Sequence, residues 1–388
     1  MPDRILNSRL APFTSTIFTE MSALALRTGA VNLGQGFPDT DGPPEVVEAA
    51  VAAIRGGLNQ YAAGPGVPQL RAAVAEHQRR FYGIELDPDT QVAITFGATE
   101  GIAAAVLGLC EPGDEVITLE PWYDSYAVCA ALAGAGRRVV TLRPPDFALD
   151  PDALAAAVTP ATRMLIINTP HNPTGRVLRI DELDAIAAVC IEHDLIAVTD
   201  EVYEHLVFEG THVPLATRPG MAERTLTVSS HGKTFSFTGW KIGWVTGPAP
   251  LVAAAHVAKQ YLSFHGGTPL QHAAAVALGL PDSFYAGVAA DLGAKRDLLC
   301  TGLADIGFTV FPPQGTFFVV TDAAPLGVTD GRAFCLSLPE RVGVVAVPVS
   351  VFYDHPDTAP TLVRFAFPKR TEVLEEGLAR LKGLAAGH

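Results

Sequence analysis

Between residues 90 and 250 the chain alternates short apolar runs with longer stretches of helical spacing. The runs fall at 92–96, 116–119, 139–142, 164–168, 195–199, 226–229 and 242–246. Each is four or five residues long, rich in Val, Ile and Leu, and continuous rather than alternating. That pattern fits strands buried on both faces, and the helical spacing between them predicts a largely parallel, doubly wound seven-stranded sheet. Ligands of such sheets bind beyond the strand ends, so the residues that follow each run are where chemistry is expected. From about residue 281 the pattern changes. A long helix rich in Ala, Leu and Arg precedes runs at 308–311, 317–320, 344–347 and 362–367 and a closing helix, which predicts a smaller α+β unit. The expected organisation is therefore α/β with three parts: 1–40 as an N-terminal arm belonging partly to the small domain, 41–280 as the large domain, and 281–388 as the small one.

Composition narrows the function. With 388 residues, 48% of them hydrophobic, the chain can bury a large core. Its net charge of −14 argues against a sequence-independent grip on nucleic acid or on anionic lipid. Any anionic ligand must then be held by local positive charge. No apolar run reaches the roughly 18 residues of a membrane helix, and the first residues lack the apolar region of a signal peptide, so a cytoplasmic location is the expectation. The five cysteines, at 110, 129, 190, 300 and 335, show no paired spacing and read as small buried hydrophobes rather than a disulfide framework or a zinc site.

The residues after the runs carry the chemistry. Gly97-Ala98-Thr99-Glu100-Gly101 follows the first run and leads into an apolar helical stretch; backbone amides at such a helix start can hold an anion without a basic side chain. Glu120-Pro121-Trp122-Tyr123 places two aromatics where a flat ring could sit. Asn168-Thr169-Pro170-His171-Asn172-Pro173-Thr174-Gly175 is a turn stiffened by two prolines; His171 has no role in this reading and is expected at the surface. Asp200 ends a buried apolar run, where a carboxylate is costly unless paired. Lys233 lies in Ser230-His231-Gly232-Lys233-Thr234, with Lys241 eight residues on. A lysine becomes nucleophilic when desolvation or neighbouring cations lower its pKa. Arg364 is a charge inside the apolar run 362–367.

In this order and spacing these segments resemble the class I aminotransferases that use pyridoxal 5'-phosphate (PLP), the fold-type I enzymes, over nearly the whole chain. The resemblance implies that Lys233 carries PLP covalently and moves the substrate's α-proton. It further implies that Asp200 pairs with the pyridinium nitrogen, that Tyr203 and Asn172 reach the 3-oxygen, and that Tyr123 stacks on the ring, with Trp122 as the fallback. Gly97, Ala98, Thr99, Ser230 and Lys241 are implied as phosphate contacts. Many relatives carry arginine at the position of Lys241, whereas the kynurenine-type subgroup uses lysine.

Arg364 and the Gly36 amide are implied for the α-carboxylate, and Phe18 for the substrate side chain. Tyr61 is implied to reach the phosphate of a neighbouring subunit, and the Phe264-His265 segment to cross the same interface toward substrate, so the enzyme is expected to be a homodimer with shared sites. Among subgroups, the N-terminal half is similar to actinobacterial N-succinyldiaminopimelate aminotransferases and to the kynurenine, glutamine and methionine aminotransferases. The expected substrates are an amino acid and a 2-oxo acid. A cysteine-conjugate β-lyase shares every residue named. A PLP-sensing regulator needs a DNA-binding domain ahead of the fold, for which about 30 residues are too few. Other readings lack motifs: Gly134-Ala135-Gly136 runs into Arg137 without the third glycine of a dinucleotide fingerprint.

Overall fold

The seven runs between residues 90 and 250 form one seven-stranded sheet in a computed structural model that describes residues 5–14 and 16–387, with side chains described through residue 384. In chain order its strands are β1 (Val92–Phe96), β2 (Glu115–Glu120), β3 (Gly136–Thr141), β4 (Thr162–Asn168), β5 (Ile196–Asp200), β6 (Thr225–Ser230) and β7 (Ile242–Thr246). The spatial order is β1-β7-β6-β5-β4-β2-β3. All neighbours are parallel except those of β7, which runs antiparallel to both β1 and β6. Every residue of β4 from Met164 onward, all of β5 and all of β7 are buried, as continuous apolar strands covered on both faces must be.

The later runs build a second, antiparallel sheet: β8 (Thr309–Phe311), β9 (Phe318–Asp322), β10 (Val347–Pro348) and β11 (Leu362–Ala366), in the order β10-β11-β9-β8. The run expected at 344–347 is split. Val344–Val345 pairs in parallel with Val31–Asn32, and only its continuation from Val347 joins the larger sheet. This pairing ties the N-terminal segment to the C-terminal unit. One apolar core runs through both, joining Ile117 and Ile167 of the large sheet to Leu33, Val319 and Phe365.

Local rules explain the elements that matter for the site. Helix α1 (Ile17–Thr28) starts at Thr16, whose hydroxyl accepts from the Thr19 amide at 3.2 Å, and ends at Gly29 in the left-handed region with φ 65°. Helix α2 (Gly97–Leu109) follows β1 with no intervening loop. A long helix, α3 (Asp282–Ile306), packs against the small sheet and the closing helix. No single helix among the described residues is long and apolar enough to cross a membrane.

Candidate active site

The C-terminal ends of β4, β5 and β6 and the start of α2 converge with β11 and the 35–37 segment on one cavity of about 270 Å3. Its walls include Phe18, Gly36, Gly97, Ala98, Thr99, Tyr123, Asn172, Asp200, Tyr203, Ser230, Lys233, Lys241 and Arg364. Thirteen of the fifteen residues singled out from the sequence therefore meet in one place, although they span positions 18 to 364. Tyr61 and His265 are not among the lining residues. Tyr61 is 80% exposed with its ring edge against Phe264 at 5.4 Å, and His265 is buried, its Nε2 2.8 Å from the Thr268 hydroxyl.

Lys233 lies partly buried in a short helical turn (His231–Thr234) directly after β6. Burial pushes its ammonium down to about 8, Lys241 and Arg364 push the same way, and Asp200 opposes them. The amine is thus available near neutral pH, as a nucleophile or a proton carrier requires. Gly232 beside it is dictated by packing, since a Cβ there would lie 3.0 Å from the Thr238 Cα.

Asp200 ends β5 beneath the cavity. Burial raises its carboxyl to about 6, against the pull of hydrogen bonds from the Tyr126 hydroxyl (2.7 Å) and the Val202 amide and of the Lys233 charge. Tyr126 was not singled out as a site residue from the sequence. The only signal available was its place in the aromatic segment after β2, and the turn of its helix (Ser125–Ala133) delivers it to Asp200. Asn168, the last residue of β4, fixes the neighbouring turn: its Oδ1 accepts from the Asn172 amide at 2.6 Å and its Nδ2 donates to the Asp200 carbonyl at 2.8 Å. The Thr169–Pro170 and Asn172–Pro173 peptides in that turn are both cis.

Arg364 is an interior charge, not an edge one. β11 lies between β9 and β10, and the side chain is 1% exposed. Its Nη1 donates to Asn172 Oδ1 at 3.1 Å and its Nη2 to the Gly34 carbonyl at 2.9 Å, while Nε is buried without a partner. Phe318, Phe18 and Phe352 surround the guanidinium at 4.0, 5.2 and 5.3 Å. Desolvation lowers it to about 10, so it stays charged at neutral pH. A charged guanidinium with an unmatched N–H in a residue that lines the cavity is a ready partner for a carboxylate.

One expectation is corrected here. His171 is buried, 2% exposed, with Nδ1 2.8 Å from the Thr174 hydroxyl, because the proline turn folds inward rather than outward. Trp122, the fallback ring, lies outside the cavity beneath the Arg137 guanidinium at 4.4 Å, whereas Tyr123 lines it. The cysteines follow expectation in four cases, while Cys300 is only partly buried.

In a chain of net charge −14, this cavity gathers Lys233, Lys241 and Arg364 around a single lining carboxylate, Asp200. Local positive charge of this kind is the condition for holding an anionic ligand. Gly97, at φ 66°, opens α2 against the Lys241 side chain; a Cβ there would sit 3.2 Å from Nζ, so the helix amides and the ammonium share one anion site. A buried carboxylate that lacks a cation of its own at one end, an anion site at the other and a desolvated lysine beside them fit PLP.

Comparisons with known proteins agree. The family model "Aminotransferase class I and II" matches residues 28–381. The chain is 55% identical to a "Probable N-succinyldiaminopimelate aminotransferase" of Mycobacterium tuberculosis, over 97% of this chain and 98% of that one. The solved structure of the N-succinyldiaminopimelate aminotransferase from that organism superposes with a TM-score of 0.96 over 98% of this chain and 100% of the other. A methionine aminotransferase of Escherichia coli is 39% identical over 98% of both chains. A kynurenine–oxoglutarate transaminase of Mus musculus is 36% identical over 95% of this chain and 87% of its own.

Proposed function

Because the chain belongs to the class I and II aminotransferases, which use PLP, we propose that it moves the amino group between N-succinyl-LL-diaminopimelate and a 2-oxo acid, with glutamate and 2-oxoglutarate as the second pair. The observation that carries the reaction is the desolvated Lys233 amine in one cavity with buried Asp200 and buried Arg364. The substrate rests on the 55% identity to the mycobacterial protein over nearly the whole chain. This places the enzyme in lysine biosynthesis.

In this reading PLP, when bound, supplies an electron sink for the bond that breaks at the substrate's α-carbon. The chain's residues do the rest. Lys233 would hold the cofactor covalently, and its Nζ would take up and return the substrate's α-proton as general base and acid. Asp200 would keep a proton on the ring nitrogen, with Tyr126 favouring its ionised form, while Tyr203 and Asn172 would hold the 3-oxygen and Tyr123 would stack on the ring. Gly97, Ala98, Thr99, Ser230 and Lys241 hold the phosphate. Arg364 clamps the α-carboxylate with the Gly36 amide, and Phe18 bounds the side chain.

We place Tyr61, and with it the Phe264-His265 segment, at the site of a second subunit, since their own cavity does not include them and the exposed Tyr61 ring packs against Phe264, next to the buried His265. The proposed assembly is a homodimer in the cytoplasm. The similarity to methionine and kynurenine aminotransferases and the aromatic lining from Phe18 and Phe318 favour, as a second reading, a neutral or aromatic donor.

The test follows the visible absorption of the bound cofactor as single donors are added. N-succinyl-LL-diaminopimelate is expected to convert it faster than glutamate, methionine, glutamine or kynurenine, and 2-oxoglutarate to restore it. Faster conversion by methionine or kynurenine moves the assignment to the second reading. Pyruvate and ammonia released from a cysteine conjugate, without the 2-oxo acid that keeps the conjugate's whole side chain, would make the protein a β-lyase, and conversion by no donor would end the aminotransferase reading.

A further inference from the structure

A second group of metal-type ligands lies outside the cavity. One ring nitrogen each of His77 and His205 and one carboxylate oxygen of Glu204 all lie within 4.8 Å of one another, and no other such group occurs among the described residues. His77 comes from the helix Pro68–Tyr82, whereas Glu204 and His205 follow β5 directly after Tyr203. None of the three lines the cavity.

Three observations distinguish the group from a chance cluster. His77 and Glu204 are 2% and 6% exposed, and one oxygen of Glu204, Oε2, is buried without a hydrogen-bond partner. The other, Oε1, accepts from the Ser229 hydroxyl at 2.6 Å, the kind of outer hydrogen bond that orients a ligating carboxylate. The two histidines meet Nε2 to Nε2 at 2.7 Å, so at least one of the two rings must accept and is neutral.

The result is a buried carboxylate whose neighbours are the Ser229 and Tyr82 hydroxyls and the two imidazoles. The nearby cation Arg80 is committed elsewhere, to Asp282 and the Leu280 carbonyl. Buried charges are paired or coordinate metals. Two imidazoles with one carboxylate form a zinc-type donor set that leaves a fourth position open. Zinc bonds of about 2.0–2.2 Å set tetrahedral ligands about 3.4 Å apart, so the histidines need to separate by well under 1 Å. His205 is only half-buried, and Tyr285 packs against its ring at 4.4 Å.

We propose that His77, Glu204 and His205 form a binding site for one divalent cation of the zinc type, separate from the cofactor cavity. The site touches that cavity through the chain alone: Glu204 neighbours Tyr203 and Ser229 neighbours Ser230. It stands independently of the substrate assignment.

The experiment uses untagged, cofactor-loaded protein, stripped with chelator, incubated with Zn2+ or with Mg2+, dialysed, and assayed for metal by mass spectrometry and for Tm. The expected result is about one Zn2+ retained per chain, a raised Tm, and no Mg2+, which imidazole suits poorly. Glu204→Gln and His205→Gln are each expected to weaken Zn2+ binding by tenfold or more. Retention well below one equivalent, or equal retention in folded variants, overturns the site. Should Glu204→Gln fail to fold, the half-buried His205→Gln decides alone.

Discussion

The Tyr126 hydroxyl donates to Asp200 Oδ2 at 2.7 Å across 74 residues of sequence, joining the first turn of a helix to the end of a central strand. A hydrogen bond to the ionised form of a carboxyl favours that form. Tyr126 thus opposes the burial that raises Asp200 to about 6.

Removing that bond should move the acid limit of cofactor binding. Ionised Asp200 is the proposed partner of a protonated ring nitrogen, so PLP affinity of the apoprotein should fall as pH drops through about 6. In Tyr126→Phe the limit should shift upward by about one pH unit, since a hydrogen bond to a charged group is worth roughly 1.5–3 kcal/mol. Fluorescence titration from pH 5 to 8 reads this directly; an unmoved midpoint would show that the bond does not tune Asp200.

The same carboxyl should destabilise the empty protein. Its folded-state pKa is raised, so its contribution to stability is complete below its ordinary value of 3.8 and is lost as pH rises through about 6. At about 1.4 kcal/mol per pH unit, that loss is worth up to roughly 3 kcal/mol. Asp200→Asn should therefore stabilise the cofactor-free protein in urea at pH 8 but not at pH 4, while reducing turnover by 100-fold or more. A variant destabilised at pH 8 contradicts the sign.

Covalent loading at Lys233 should follow its lowered pKa. Between pH 6 and about 8 the rate of PLP attachment, trapped by borohydride and read by peptide mass, should rise close to tenfold per pH unit and then level. A rate still climbing at pH 10 would mean that the lysine is not desolvated in solution. Lys233→Ala should leave the fold intact and transamination undetectable.

Arg364→Lys keeps the charge and loses the fork that contacts Asn172 and the Gly34 carbonyl. The expected effect is a fall in kcat/KM of about 30-fold, near 2 kcal/mol, carried mainly by KM. A change in kcat with KM unaltered would place Arg364 away from the carboxylate.

Gly36→Ala should act by collision, since a Cβ there would lie 2.2 Å from the Phe318 Cζ. Overpacking of this kind costs about 1–3 kcal/mol and should raise KM with it. Gly287→Ala, in the second turn of α3 where a Cβ meets nothing within 4 Å, is the control and should gain about 0.5–1 kcal/mol. Equal melting temperatures for the two variants would contradict the packing argument.

Sharing of sites can be tested by mixing Lys233→Ala with Tyr61→Ala subunits after partial unfolding and refolding. If Tyr61 serves its partner's cavity, one site of each mixed dimer is intact and roughly a quarter of parental activity should return. No recovery would keep Tyr61 out of the neighbouring site.

Much of the site was legible because its residues stand at strand ends, and strand ends are marked in sequence by the abrupt stop of an apolar run. Asp200 ends β5, Asn168 ends β4, Ser230 ends β6 and the Gly97 turn follows β1. Arg364 was visible for the opposite reason, as a charge within such a run. Tyr126 and the inward burial of His171 were not legible. A helix carries side chains to all sides, and only its packing against the sheet decides which of them reaches a carboxylate 74 positions away. The choice of Tyr123 over Trp122 has the same origin, as does the meeting of His77 with His205 across 128 residues.

The sequence by itself therefore determined the elements, the parallel character of most of the sheet and the chemical types at each strand end, because apolar periodicity and isolated charges are properties of short segments. The tertiary structure alone decided the reversed direction of β7, the pairing of Val31–Asn32 with Val344–Val345, and the desolvation of Lys233, Asp200 and Arg364. Those depend on what each segment is packed against, and an amine reactive near neutral pH exists only once distant segments have removed the water around it.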